Sequence, residues 1–368
     1  MIRRGLILSC GRWLVLLLLY FTAPAAFFAQ PFAAAPQVLS SLDAAARIAA
    51  LPAGDYALSL TGPLNTGMLR RVCAAIAAND SIRVSLDLSQ VTGLSVITGD
   101  ACGDCGNLVA LTVPDGAASV HPRAFAGCAA LAALEAGSDS ERFSSRDGVL
   151  YSKDGAQLVL AAPALRGTLV VPAAVIEVSD DAFSLCDGLD AFSVEDGASF
   201  SAIDGCLYSG DGTLFVRCPP GRTQAVTVAD GVTAVGDGAF ADCARLSAVT
   251  LPRSVRVIGD HAFDGCSHLT AFSLPAHVAV IGKQAFAGCS RLESLLIPES
   301  VATVGSRAFY GCGLVSLEFA LPDGWRCGRK LVVDLGDRVQ NPPKFAFPGK
   351  YWPYDLYRED DDARVMRR

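Results

Sequence analysis

A chain of 368 residues, 51% hydrophobic and 18% charged, has enough apolar side chain for a sizeable folded core. Its formal net charge of −7 argues against nucleic acid as a partner, because polyanion binders present basic patches. No run of interleaved basic and aromatic residues offsets that acidic balance.

In chain order, Arg3 and Arg4 precede a hydrophobic run from Trp13 to Phe21 and an alanine-rich stretch at Ala23-Pro24-Ala25. This is the arrangement of an export signal over residues 1–29. The run is short for a membrane span, and no second apolar stretch of spanning length follows. A signal-anchor that stays attached is the alternative to cleavage. Either way the chain is expected to be exported, to the cell surface or medium or to a periplasm.

Between residues 36 and 80, Met68, Leu69, Val72, Cys73, Ile76 and Ala77 recur at helical spacing, and Asn79-Asp80 supplies a stop. The spacing predicts an N-terminal helical cap. Ile82, Val84, Leu86 and Leu88 then alternate as a strand, opening a region over 81–320 in which one pattern returns. Ala101-Cys102-x-x-Cys105 is followed one period later by Ala124, Phe125 and Cys128. The pattern is plainest from 246 to 312. Leu246, Val249, Leu251, Pro252, Val255, Ile258, Gly259, Ala262, Phe263 and Cys266 reappear one period on as Leu269, Phe272, Leu274, Pro275, Val278, Ile281, Gly282, Ala285, Phe286 and Cys289. They appear again as Leu292, Leu295, Ile297, Pro298, Val301, Val304, Gly305, Ala308, Phe309 and Cys312.

A fixed period of this size means a solenoid, in which each unit is too small to bury its own apolar face and stacks on its neighbours. Within a unit, L-x-x-L-x-L-P reads as a short strand ended by a proline that cannot donate to a ladder. The return limb, V-x-x-I-G-x-x-A-F-x-x-C, has apolar residues three or four apart and predicts one or two turns of helix or 3₁₀-helix. The expected fold class is therefore an α+β solenoid of ~23-residue leucine-rich coils with a stacked β-sheet face and capping segments. Its spine would be a ladder of Phe125, Phe183, Phe240, Phe263, Phe286 and Phe309 beside Cys105, Cys128, Cys186, Cys243, Cys266, Cys289 and Cys312.

The period breaks twice, since the intervals from Phe125 to Phe183 and from Phe183 to Phe240 are each more than double the regular spacing. The extra segments are copies of each other. Phe143, Asp147, Gly148, Leu150, Tyr151, Ser152, Asp154 and Gly155 match Phe200, Asp204, Gly205, Leu207, Tyr208, Ser209, Asp211 and Gly212. A strand, a turn at Lys153-Asp154-Gly155 or Gly210-Asp211-Gly212, and a second strand (Leu158–Leu160 or Leu214–Val216) predict β-hairpins near 143–163 and 200–219. These would either protrude from the solenoid wall or extend it. Beyond Phe319 the pattern fades. Trp325, Leu331, Val333 and Leu335 suggest closing strands in a C-terminal cap over 321–358, and residues 359–368 an acidic disordered tail. An exposed aromatic contact site at Tyr351, Trp352 and Tyr354 is the alternative reading of that cap.

The coil ending in A-F-x-x-C, the inserted F-x-x-x-D-G-x-L-Y-S segment and Leu86-Asp87-Leu88-Ser89 closely resemble the BspA-like leucine-rich repeat family, treponemal members included, over about residues 82–320. The resemblance implies an exported or surface protein, with adhesion or extracellular-matrix binding among the roles found in the family. Cys102 in place of the phenylalanine, Ala229 in place of the strand-end proline, and His121 or Ser179 in place of the glycine are departures confined to single coils.

Thirteen cysteines invite a metal or redox reading, but seven share the one ladder slot, which implies a small buried side chain at a tight bend. Cys102-x-x-Cys105 has the spacing of a redox or zinc half-site, yet no second pair accompanies it. Cys206 and Cys218 lie on opposite strands of the second hairpin, where the first copy carries Val149 and Ala162, so a disulfide between them is expected in an oxidising compartment. A bridge from Cys73 to Cys102 would tie the cap to the first coil, and Cys327 has no evident partner. The four histidines have no metal spacing, and no phosphate loop or G-x-S-x-G is present. No catalytic, cofactor-binding or metal set is therefore expected.

Outward side chains of the L-x-L strands form the candidate contact face: Thr112, Ser193, Thr227, Thr250, Ser273, Leu296 and Glu318. At about 4.8 Å between strands, seven positions make a column of roughly 30 Å. Two function classes follow. One is an exported non-enzymatic module that binds a protein, of the extracellular matrix or the envelope, or a glycan, through the sheet face and hairpins. The other is a structural envelope scaffold with no host ligand.

Overall fold

The computed structural model describes residues 36–320 and the strand segments Trp325–Cys327, Lys330–Val332 and Leu356–Arg358. The export segment, the aromatic stretch with Tyr351, Trp352 and Tyr354, and the acidic tail lie outside the described residues.

The chain winds as a β-solenoid whose coils contribute strands to two walls. In the L-x-L wall, Gln37–Ser40, Gly54–Pro63, Ile82–Asp87, Leu108–Val113 and Ala133–Ala136 pair in parallel, in that order. Three parallel pairs continue the same wall: Arg166–Val171 with Gly188–Val194, Val226–Thr227 with Val249–Thr250, and Ser294–Ile297 with Ser316–Phe319. The alternation of buried and outward residues explains why these segments are strands. In Ile82–Asp87, for example, Ile82, Val84 and Leu86 face the core, and the residues between them face out.

The return limb differs from the helix expected of it. Its I-G segment is extended, and Ala234–Val235, Val257–Ile258, Val280–Ile281 and Thr303–Val304 stack as a second parallel wall. Among the described residues only Pro122–Phe125 forms a 3₁₀-helix. Two physical reasons decide the matter. The backbone bonds run between coils, with Gly259 N donating to Val235 O at 2.9 Å and Gly282 N to Ile258 O at 2.8 Å. The coils of Phe240, Phe263, Phe286 and Phe309 also carry two left-handed residues four apart, such as His261 (φ 55°) with Gly265 (φ 76°), which no right-handed helix accommodates. Apolar spacing of three or four thus reports a sequence of tight bends here. The I-G glycine is set by close approach: a Cβ on Gly282 would fall 2.5 Å from Asp260 N and from Gly259 C of the preceding coil.

The segment expected to be a helical cap holds the expected helix and alternates strand with helix. Gln37–Ser40 and Gly54–Pro63 belong to the L-x-L wall, so coiling starts at the first described residues. Helix α1 (Ala44–Ala49) buries Ala44 and Ile48; helix α2 (Thr66–Ala77) buries Leu69, Val72, Cys73 and Ile76. Asn65 caps α2 by accepting from Met68 N at 3.0 Å.

The inserts are three-stranded, where sequence spacing predicted two strands. Phe143–Arg146, Val149–Ser152 and Gln157–Ala161 form the first, and Phe200–Ile203, Cys206–Ser209 and Leu214–Arg217 the second. Asp147-Gly148 (φ 54° and 78°) and Asp204-Gly205 (φ 50° and 72°) turn the chain with both residues left-handed, the type I′ geometry that joins adjacent antiparallel strands. The inserts extend the return-limb wall, because Leu158 pairs in parallel with Val178 and Phe215 with Val235. The register also moves one equivalence: Val149 faces Ala161, so Ala161, and not Ala162, corresponds to Cys218.

The core is divided at the inserts. Phe125 belongs to an N-terminal cluster, Phe183 and Phe192 (ring centroids 4.9 Å apart) to a middle one, and Phe240, Phe263, Phe286 and Phe309 to a C-terminal one. In the last, Phe215 of the second insert heads a column of near-parallel rings, with successive centroids 4.5, 4.8, 5.1 and 5.7 Å apart.

Candidate interaction surface

The L-x-L wall presents two outward columns, built by the last two x positions of L-x-x-L-x-L. Of the residues named from sequence, Thr112 and Ser193 are half-buried, and Thr227, Thr250, Ser273, Leu296 and Glu318 are exposed or partly so. Thr227 pairs directly with Thr250, and Leu296 with Glu318. Thr112 and Ser193 are not neighbours, since Glu135 stands beside Thr112 and Val170 beside Ser193. The column also runs further back, to Asp87 and Ser59, whose hydroxyl donates to Asp87 Oδ2 at 3.1 Å. Ser59, Asp87 and Glu135 lie on coils without a complete A-F-x-x-C limb, so the repeat signature does not point to them, whereas Val170 stands on the coil that ends in Ala182-Phe183-x-x-Cys186.

The second column has no counterpart among the sequence expectations. Ser85, Ala110 and Ala133 succeed one another in register, as do Thr168 and Ala191, Ala248 and Ala271, and Ser294 and Ser316. Its signal is the first x before each L-x-L, which is Ala, Ser or Thr throughout this set. The wall is consequently low in relief, with Val38 (62% exposed), Leu296 (54%) and Val170 (47%) as its large apolar projections.

On the opposite wall, the first insert opens a groove of about 570 Å³ between Ala118–Val120 and the residues Glu141–Phe143, Ser152–Asp154, Gln157 and Val159. Ser119–Val120 pairs on one side only, with Val96–Ile97, so its other strand edge faces this groove. A second shallow groove, of about 490 Å³, runs along Ser89–Ser95 to Asp115 and Asp139. Burial, followed by the nearby Asp139 and Asp87 charges, pushes the Asp115 carboxyl up. Among the described residues no group of three or more His, Cys, Asp or Glu side chains is placed to hold a metal ion.

The ladder cysteines are buried thiols that bond to the preceding coil. The thiols of Cys266, Cys289 and Cys312 donate to the carbonyls of Phe240, Phe263 and Phe286 at 3.1, 3.2 and 2.8 Å. Cys128 reaches Cys102 O at 2.9 Å, Cys105 reaches Cys73 O at 3.4 Å, Cys186 reaches Ala162 O at 3.5 Å and Cys243 reaches Pro219 O at 3.7 Å. Burial pushes Cys128 and Cys186 up to about 12, and Cys266 is raised by the same cause, so these thiols are poor nucleophiles. Cys206 and Cys218 are buried free thiols in contact with each other. The Cys218 thiol bonds to Cys206 and lowers the Cys206 pKa, while burial raises that of Cys218. The histidines do local work: His121 Nδ1 accepts from Arg123 N at 3.1 Å, and His261 Nδ1 lies 2.9 Å from Asp264 Oδ2. His268 and His277 are exposed.

Residues 87–146 and 215–322 match the profile of the BspA type Leucine rich repeat region, in six copies. No curated protein matches the chain. Solved structures similar to it include the pneumococcal vaccine antigen PcpA, at 20% identity and a TM-score of 0.45, over 72% of this chain and 62% of that one. A leucine-rich repeat protein from Eubacterium ventriosum is 18% identical over 72% of this chain and 79% of its own, with a TM-score of 0.45. A leucine-rich cell surface protein from Faecalibacterium prausnitzii is 20% identical over 73% and 82%, with a TM-score of 0.39. The chain thus spans less than two thirds of the pneumococcal antigen. The six copies, lying on coils whose thiols, rings and glycines stack in register, are BspA-type leucine-rich repeats.

Proposed function

We propose that the chain is an exported, non-enzymatic binding module of the cell envelope that engages a protein, of the extracellular matrix or of the envelope itself, or a glycan. The observation that carries this reading is the L-x-L wall. It is a rigid face tens of ångströms long whose outward residues are small and mostly uncharged, with Thr227, Thr250, Ser273 and Leu296 available to a partner. Such a face is suited to an extended macromolecular surface and offers a small molecule little enclosure. Arg3, Arg4 and the Trp13–Phe21 run support export. The hairpin-derived inserts contribute through their exposed turns at 153–154 and 210–211.

The test has two arms. Protease shaving of intact cells is expected to remove the protein, and protection from it would overturn adhesion in favour of a periplasmic scaffold. Purified full chain is then applied to immobilised matrix proteins and to a glycan array, beside a variant with Thr227→Arg, Thr250→Arg and Ser273→Arg. Loss of binding in a folded variant is the expected outcome; undiminished binding would remove the wall from the site.

A further inference from the structure

One cluster of nucleophilic side chains is left unused by this reading. Cys102 occupies the slot that holds phenylalanine in the regular coils, and the coil in which this happens is the one α2 covers. The space a ring would fill is entered instead by Cys73 from the buried face of α2. The two sulfurs are 2.7 Å apart, and both side chains are almost fully withdrawn from solvent, at 2% and 0% exposure. Cys105 is the third thiol of the group: it reaches the carbonyl of Cys73 at 3.4 Å, in the same manner as the ladder cysteines of later coils, and it also contacts the Cys73 thiol.

We propose that Cys73 and Cys102 are a disulfide site that closes α2 onto the first A-F-x-x-C coil, with Cys105 remaining a ladder thiol. The paired sulfurs are brought together by elements far apart in the chain, so the bond would fasten the N-terminal end of the solenoid. The redox balance is simple. Two S–H bonds are lost and one S–S bond forms, and the two protons and two electrons given up convert the disulfide of an oxidant, a disulfide-carrier protein or oxidised glutathione, to two thiols. The bond forms through a mixed disulfide on one cysteine that the other displaces. The chemistry can be tested in solution and does not depend on where the chain resides.

The full chain is reduced, unfolded and refolded in a glutathione redox buffer, and free thiols are then alkylated. Trypsin gives peptides 72–83 and 84–123, and further cleavage before aspartates trims these to 72–79 and 100–103, which separates Cys102 from Cys105. The expected product is 72–79 linked to 100–103, lighter than the reduced pair by two hydrogens, with Cys105 alkylated. Backbone amides of α2 are expected to exchange at least tenfold more slowly in the oxidised protein. The linkage should persist in Cys105→Ala and disappear in Cys102→Ala. Alkylation of both Cys73 and Cys102 in the refolded wild-type chain, or a link through Cys105, would overturn the proposal whether or not either variant folds.

Discussion

The two inserts share a backbone and differ in what fills it. Both are three-stranded, both turn at Asp-Gly and both add a strand to the return-limb wall. Aligning the copies on their shared motif places Leu158, Leu160, Val149 and Ala161 of the first opposite Phe215, Arg217, Cys206 and Cys218 of the second. In the first copy these four positions are wholly apolar. In the second they hold a ring that joins the C-terminal column, two touching thiols and an arginine only 3% exposed. One strand scaffold therefore tolerates two kinds of interior. The terminal nitrogens of Arg217 donate to the carbonyls of Gly238 and Ser179, while its buried Nε has no partner.

The largest test of that difference is Phe215→Ala. It removes the head of the ring column, stacked 4.5 Å from Phe240, and should cost about 3–5 kcal/mol, with loss of exchange protection spreading toward Phe263. Leu158→Ala should cost less and stay within the middle cluster. Equal and equally local effects would mean that the column does not couple the second insert to its neighbours. Because a solenoid unfolds by segments, site-resolved hydrogen exchange is the appropriate measurement.

Arg217 gives a sharper case. Both of its acceptors also receive a backbone N–H, Gly238 O from Ala241 at 2.9 Å and Ser179 O from Ala182 at 3.0 Å. Restoring the residue of the first copy, Arg217→Leu, should therefore leave no carbonyl unpaired and change stability by less than about 1 kcal/mol, whereas Arg217→Ala opens a cavity worth about 2–4 kcal/mol. Chemical denaturation of the two variants separates packing from charge. A leucine variant as unstable as the alanine one would show that the guanidinium bonds themselves hold the wall.

A third comparison concerns the thiols. We propose that oxidation joins Cys206 to Cys218. Closing this short loop should add about 2–3 kcal/mol to the second insert and nothing to the first, with the linked peptides visible only without reductant. Free thiols at both positions in protein recovered from an oxidising compartment would end that proposal. In reducing conditions Cys206→Val with Cys218→Ala, the pair of the first copy, should be close to neutral.

The smallest expected effect lies in the coil after each insert, where Leu185 follows the first and Asp242 the second. Burial, then the Asp264 charge, raises the Asp242 carboxyl from 3.8 to about 6. A folded-state value above the unfolded one means that ionisation costs stability: the penalty is full above about pH 6 and vanishes below about pH 4. Asp242→Asn should thus stabilise by about 1 kcal/mol at pH 8, allowing for solvent screening, and by nothing at pH 4. Its left-handed backbone (φ 59°) accepts asparagine. A benefit independent of pH would point to a cause other than the carboxylate charge.

Much of this was legible in the residues. The repeat period, the strand over Ile82–Asp87, the buried face of α2 and the duplicated inserts follow from apolar spacing, which the burial of Leu, Val, Phe and Cys side chains imposes directly. The return limb reads as helical because apolar residues three or four apart describe a helix face and a chain of tight bends equally well. What separates the two is backbone sign, set at Gly265, Gly288 and Gly311 and at the residue four before each of them, such as Gln284. The Asp-Gly turn at 147–148 was a readable signal for a third strand. The face column was only partly legible, because Ser59, Asp87 and Glu135 stand on coils without the complete A-F-x-x-C signature.

By itself the order of residues determined that this chain repeats, how long each repeat is and which side chains must turn inward, since a period and an apolar pattern are properties of the chain alone. Only the tertiary structure decided which neighbour each strand meets, and with it the three separate core clusters, the Phe215 ring joining the column and the meeting of Cys73 with Cys102. Those outcomes depend on contacts between coils, and a contact between coils is set by stacking register, which no single repeat contains.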